Sequence, residues 1–248
     1  MHFTTQQASI LLHRLHERIR IHRNIEVVIA PSALHLQPLS LQIDRRKFRL
    51  ASQNAHYKDE GAFTGEVSFT MLSGLVHYGI IGHSERRHLF HESHDTIRDK
   101  VAAAVRNDIT PILCVGETRE EYLNGETARV INDQLTTGFS NLTAREVANS
   151  VIAYEPVWAI GSGKPATPAY AQHVAEKIRA IISELYGPKA ANRIRILYGG
   201  STNASNARAF LDEKDIDGLL PGGSSLSYQE FSAMVEAAYR SVHKLSID

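Results

Sequence analysis

The 248 residues predict an α/β protein folded as a (β/α)8-type barrel that lacks its first β-strand, leaving seven strands. Three observations predict it. Short apolar runs alternate with segments of three-to-four-residue apolar spacing along the whole chain, the pattern of parallel strands joined by helical crossovers. Several of these runs are apolar at consecutive positions, as strands buried on both faces require. Finally, Gln53-Asn54, His83, Glu117, Glu155, Ser201 and Gly222-Gly223 all come at or just after the ends of such runs. A barrel assembles its site from the ends of many strands in this way. The alternation alone leaves an open doubly wound sheet as the alternative; the placing of the polar residues weighs against it.

The chain opens on a helix. Thr4-Thr5-Gln6-Gln7 leads into a stripe of Leu11, Leu15 and Ile19 with no strand before it, whereas a barrel opens on a strand and needs eight to close. His13, Arg14, His16, Arg18, Arg20, His22 and Arg23 read as the solvated face of that helix. They also make the segment too charged for the core of a signal peptide. Candidate strands follow at 27–30 and 48–53. The strand at 79–81 runs into Gly82-His83-Ser84-Glu85-Arg86-Arg87, and Ile97, Val101 and Val105 mark the next helix. The strand at 111–115 carries the only cysteine, Cys114, whose apolar neighbours suit a small buried side chain. The strand at 151–154 ends in Glu155-Pro156. A helix with Val174, Ile178, Ile181 and Leu185 separates it from strands at 194–197 and 218–220. Phe231, Met234, Val235 and Ala238 mark the last helix. No linker or charge block divides residues 1–248, so one domain is expected, a size such barrels routinely reach.

Composition narrows the function. Lys+Arg and Asp+Glu number 27 each, so the net charge is zero with histidines neutral. That balance favours neither nucleic acid nor an anionic membrane. No apolar stretch approaches the roughly 18 residues of a membrane span, and the expected location is cytoplasmic.

The chemistry gathers around Glu155. It ends a buried strand and precedes a loop hinged by Pro156 at one end and by Gly161 and Gly163 near the other. A carboxylate under a closing loop suits proton abstraction. Taking a proton from carbon beside a carbonyl also needs an electrophile that polarises the oxygen. His83 falls where a helix begins, and the positive end of a helix disfavours imidazolium. A neutral ring there can donate a hydrogen bond to a substrate oxygen. Glu85 and Arg86 fit a structural ion pair, or a supporting layer behind His83, better than a chemical role. Gly161, Tyr198-Gly199-Gly200-Ser201 and Pro221-Gly222-Gly223-Ser224 look like phosphate grips, because glycines let backbone N–H groups approach an anion. Phosphate sites commonly follow the last two strands of a barrel. No metal and no cofactor is called for.

These residues resemble the triosephosphate isomerase family from about residue 25 to residue 240. The matching stretches are Gln53-Asn54, Gly61-Ala62-Phe63-Thr64-Gly65-Glu66, 80–87, 111–117, 153–164, 197–201, and 216–218 with Gly222-Gly223. The resemblance implies a TIM barrel that interconverts dihydroxyacetone phosphate and D-glyceraldehyde 3-phosphate through an enediol, in glycolysis and gluconeogenesis. It implies Glu155 as base and His83 as electrophile, a pairing already established in that family, with Glu85 behind His83. Residues 156–166 would be the lid, with Pro156, Trp158 and Ala166 in it and Tyr198 as its latch. Backbone amides of Gly161, Ser201, Gly222 and Gly223 would hold the phosphate. The family is a homodimer in which the Phe63-Thr64-Gly65 loop reaches into the neighbour.

The resemblance breaks at the start. The family's first strand ends in Asn-x-Lys-Met, and its asparagine and lysine point into the site; here Met1 aligns with the methionine. Neither Lys58 nor Lys164 has an evident claim to the lysine's place. Losing one preorganised neutral donor costs about 10²–10³ in rate, so activity is expected to be strongly reduced. The alternative is a catalytically inactive homologue that binds a phosphate ligand or a partner. The strands at 27–30 and 218–220 should become edges. Pro221, where the family usually has valine, suits an edge. The dimer contact beside the missing residues is compromised, which leaves an altered assembly or a monomer open.

Overall fold

The computed structural model of the chain describes residues 1–21, 23–160 and 165–242. Seven parallel strands form one sheet in chain order: β1 (Val27–Ile29), β2 (Phe48–Ser52), β3 (Tyr78–Ile81), β4 (Thr110–Val115), β5 (Val151–Tyr154), β6 (Arg195–Tyr198) and β7 (Gly218–Leu219). Every pairing is parallel and joins consecutive strands. All seven expected strands are present. Among the described residues β1 pairs only with β2 and β7 only with β6, so both are edges, and Pro221 follows one of them. Residues 1–4 form no strand.

The helices are α1 (Thr5–Arg18), α2 (Ala33–Ser40), α3 (Phe69–Leu72), α4 (Ser84–Leu89), α5 (His94–Arg106), α6 (Arg119–Leu123), α7 (Thr127–Phe139), α8 (Ala144–Asn149), α9 (Pro168–Tyr186), α10 (Pro188–Arg193), α11 (Ala207–Leu211) and α12 (Tyr228–Val242). No described helix is long and apolar enough to cross a membrane. Helix α1 starts at a capping box: the Thr4 hydroxyl accepts from Gln7 N, and Gln7 Oε1 accepts from Thr4 N at 2.9 Å. Its buried stripe is Ala8, Leu12, Leu15 and Ile19, packed on Val27, Leu39, Phe48 and Val235. The expected Leu11 is only partly buried, because the inward face is turned one position toward Leu12. Val235 belongs to α12, and the Arg18 guanidinium stands 5.0 Å from the Tyr228 ring centre. The helical layer thus closes on itself although the sheet does not.

Consecutive apolar residues in the strands serve two cores. Ile80, Ile112, Cys114, Val151 and Ala153 pack together on one face of the sheet. On the other, Leu113, Val115, Ile152 and Tyr154 meet Ile131, Leu135 and Ile178 of the surrounding helices. Burying each such aliphatic side chain is worth about 1.5–3 kcal/mol. Leu185, placed on the inner stripe of α9 by its spacing, is exposed instead, one residue before the helix ends.

Candidate active site

Three strand ends hold Glu155. Its amide donates to Val115 O at 2.8 Å, and the next amide along the sheet, Gly199 N, donates to Tyr154 O at 2.7 Å. A Cβ on Gly116 would lie 1.8 Å from the Glu155 carbonyl oxygen, and one on Gly199 would lie 2.9 Å from Glu155 Cγ. The glycines after β4 and β6 therefore make the room that Glu155 occupies. Its carboxylate is buried, and Oε2 accepts from the amide of Ser84 at 2.9 Å.

His83 is the N-cap of α4, as the sequence suggests. Gly82, at φ +71°, turns the chain from β3 into that cap. Arg87 fastens the turn by donating to Gly82 O and Cys114 O. His83 Nδ1 accepts from Glu85 N at 3.3 Å, so the neutral ring carries its proton on Nε2. That nitrogen lies 2.8 Å from Glu155 Oε1. The contact is close but poorly aligned, and Oε1 has no well-aligned donor. Burial lowers the His83 pKa; the hydrogen-bonding contact and charge of Glu155 outweigh it, and the net shift is upward. The expectation from the helix end alone, a ring biased toward neutrality, runs against that net rise.

Glu85 and Arg86 take separate supporting places rather than pairing with each other. Adjacent residues on a helix point in different directions. Glu85 faces solvent, 3.8 Å from His83 Nδ1. Arg86 turns inward to Glu92 at 2.5 Å. Glu92 also pairs with the buried Lys100, whose ammonium donates to Asn54 Oδ1 at 2.7 Å. Gln53 donates to Ala30 O, tying the ends of β2 and β1. Among the described residues no lysine or arginine is ion-paired with Glu155. Lys58 lies over the ring of Tyr57, 5.7 Å from its centre.

After β4, Glu117 is wholly buried beneath the start of the 156–166 loop. Its Oε1 accepts from Trp158 Nε1 at 2.8 Å, from Tyr154 at 3.0 Å and from Tyr170 at 3.2 Å. Burial lifts its pKa, and these donors offset only part of the rise. Pro156 caps a short 3₁₀ turn, Val157–Ala159. Within it the Trp158 ring stacks on Tyr122 at 4.3 Å and meets Tyr170 edge-on at 5.7 Å. At the far end Ala166 is buried, and Thr167 caps α9 by accepting from Tyr170 N. Gly161, Gly163 and Lys164 lie outside the described residues.

Tyr198 ends β6 with a buried hydroxyl. Burial pushes its phenol up to about 12, against a smaller opposing pull from the Ala166 backbone. Ser201, Gly222 and Gly223 are exposed in the loops after β6 and β7. Gly222 caps a 3₁₀ turn, Gly223–Leu226, and Ser224 Oγ donates to Thr202 O at 2.5 Å, joining the two loops. The fold thus brings Glu155 to His83, Tyr198 to Ala166, and the two glycine loops to each other. The Ser84 amide, Tyr122 and Tyr170 carry no motif and escaped sequence reasoning. Glu117 is legible in the sequence by its place after a strand and within the 111–117 stretch, but its role beneath the loop is not.

The family model described as triosephosphate isomerase matches residues 1–238. A triosephosphate isomerase of Carboxydothermus hydrogenoformans is 41% identical over 239 residues, covering 96% of this chain and 95% of its own. One from Symbiobacterium thermophilum is 44% identical over 239 residues, covering 96% and 93%. One from Chloroherpeton thalassium is 46% identical over 214 residues, covering 86% and 85%.

Proposed function

The chain belongs to the triosephosphate isomerase family, and on that premise we propose that it interconverts dihydroxyacetone phosphate and D-glyceraldehyde 3-phosphate through an enediol at Glu155 and His83. The observation that carries the proposal is the 2.8 Å approach of a buried carboxylate to the Nε2 of a histidine whose Nδ1 is taken up by the Glu85 amide. With substrate between them, Glu155 takes the proton from the carbon beside the carbonyl. His83 Nε2–H donates to the oxygen on which charge develops, and Glu155 returns the proton to the neighbouring carbon. A carboxylate base with a neutral histidine is established in this family and is not a deduction from this geometry.

The backbone amides of Ser201, Gly222 and Gly223 are offered to the phosphate, with Gly161 joining them from outside the described residues. The 156–166 segment acts as the lid, a kind of loop closure for which this family is itself an established instance. Ala166 and Tyr198 latch its far end. Residues 1–248 act as one domain in the cytoplasm.

Among the described residues no lysine is ion-paired with Glu155, and we infer that the 248-residue chain turns over slowly. One missing donor costs about 10²–10³ in rate, and a missing cation at least as much. The same absence favours the second reading, an inactive homologue that keeps the phosphate loops for binding. Its assembly would then depart from the family's homodimer. The deciding experiment is isomerisation of D-glyceraldehyde 3-phosphate by purified residues 1–248, with Glu155→Gln as control. A rate well above the control supports the isomerase. Equal rates overturn it in favour of the binder.

A further inference from the structure

Trp158 is the only tryptophan of the chain, and it is held on three sides. Its N–H is spent on Glu117 at 2.8 Å, its edge meets Tyr170 at 5.7 Å, and its face lies on Tyr122 at 4.3 Å with 20° between the planes. Glu117, Tyr154 and Tyr170 form one hydrogen-bonded network. Tyr122 stands apart from it: among the described residues its hydroxyl makes no hydrogen bond, and it offers Trp158 only a ring. The stage beneath that ring is firm. Helix α6 starts at a capping box in which Thr118 N and Oγ1 donate to Glu121 Oε2 at 2.8 and 2.9 Å. The same stretch of chain carries Glu117, whose carbonyl accepts from Val157 N at 3.2 Å. One segment after β4 thus grips both the backbone and the indole of the turn that begins directly after Glu155.

We propose that Tyr122 is a positioning residue for the isomerisation proposed above, on which this inference rests: its ring seats Trp158 and so fixes the first turn of the 156–166 loop relative to Glu155. The coupling is short and stiff. Pro156, at φ −65°, and a 3₁₀ turn whose buried Ala159 N donates to Pro156 O at 2.8 Å join the indole to the carboxylate. A stacked aromatic pair contributes an amount that, lost from the positioned state, reduces kcat/KM by roughly 3- to 10-fold.

The test compares Tyr122→Phe and Tyr122→Ala with the unaltered chain, using time-resolved emission anisotropy of Trp158 together with kcat and KM on D-glyceraldehyde 3-phosphate. Phenylalanine keeps the ring and is expected to keep both the slow depolarisation and the rate. Alanine is expected to add fast local motion of Trp158 and to lose several-fold in kcat/KM while melting within a few degrees of the parent. Unchanged anisotropy in Tyr122→Ala would overturn the proposal, since Glu117 and Tyr170 alone would then hold the indole. Equal losses in both variants would overturn it too, by assigning the effect to the hydroxyl. Failure of the isomerase reading shows separately, as a parent rate no higher than that of Glu155→Gln, and the anisotropy comparison does not depend on turnover.

Discussion

Glu155 Oε1 stands 2.8 Å from His83 Nε2, so close that no further atom fits between the two side chains. The free site is paired with itself. Substrate has to part the two groups, and the carboxylate that must turn is held on its other oxygen by the Ser84 amide at 2.9 Å. The proposed reaction then requires a side chain long enough to leave Ser84 and reach a carbon atom in front of His83.

Shortening that side chain tests the requirement. Glu155→Asp withdraws the carboxylate by about one methylene, and a misplacement of about 1 Å costs on the order of 10²-fold in rate. The expected outcome is a fall of that size in kcat with little change in KM, because the phosphate loops are untouched. Steady-state kinetics in both directions checks it. An aspartate variant as fast as the parent would mean that some other group takes the proton.

The same pair makes stability depend on pH. Burial pushes the His83 pKa down and Glu155 pushes it up further, for a net rise above the ordinary 6.5. A raised folded-state pKa adds stability that is fully present below the unfolded value and is lost as pH rises through the folded one. Comparing His83→Gln with the parent in thermal melts, the parent's advantage should be larger at about pH 6 than at about pH 9. An advantage that grows with pH would show that His83 is held as the neutral ring even in the free protein.

The sequence made the strands legible because most are short, largely apolar runs such as Val151–Tyr154 and Thr110–Val115, set between helical patterns. It also made Glu155, His83 and the glycine loops legible, because they follow those runs. It hid what depends on tertiary direction. Helix α7 was overlooked although Val130, Ile131, Leu135 and Phe139 are all buried; Asn132, Asp133, Gln134 and two threonines dilute the stripe. Glu85 and Arg86 are adjacent, but their helix sends Arg86 to Glu92 and leaves Glu85 in solvent beside His83, and no local pattern names those partners. The cage around Glu117 joins residues from 117 to 170, a span that no local pattern reports.

The cluster of Arg86, Glu92, Lys100 and Asn54 is where a buried charge can be weighed. Lys100 and Glu92 have only 5% and 6% of their side-chain surface exposed. Burial lowers the Lys100 pKa on balance, whereas for Glu92 the two cations outweigh burial and the net shift is downward. Removing one partner of such a pair leaves an uncompensated charge, at a cost of about 3–5 kcal/mol. Lys100→Met should therefore lose close to 3 kcal/mol, since Arg86 still neutralises part of Glu92. The double variant Lys100→Met with Glu92→Leu should lose less than the two single losses combined. Both buried charges are then gone, and Arg86, about a quarter exposed, can turn to water. Urea unfolding midpoints with a double-mutant cycle read the difference. Strict additivity would show that Lys100 is held by Asn54 and its own packing, with no energetic tie to Glu92.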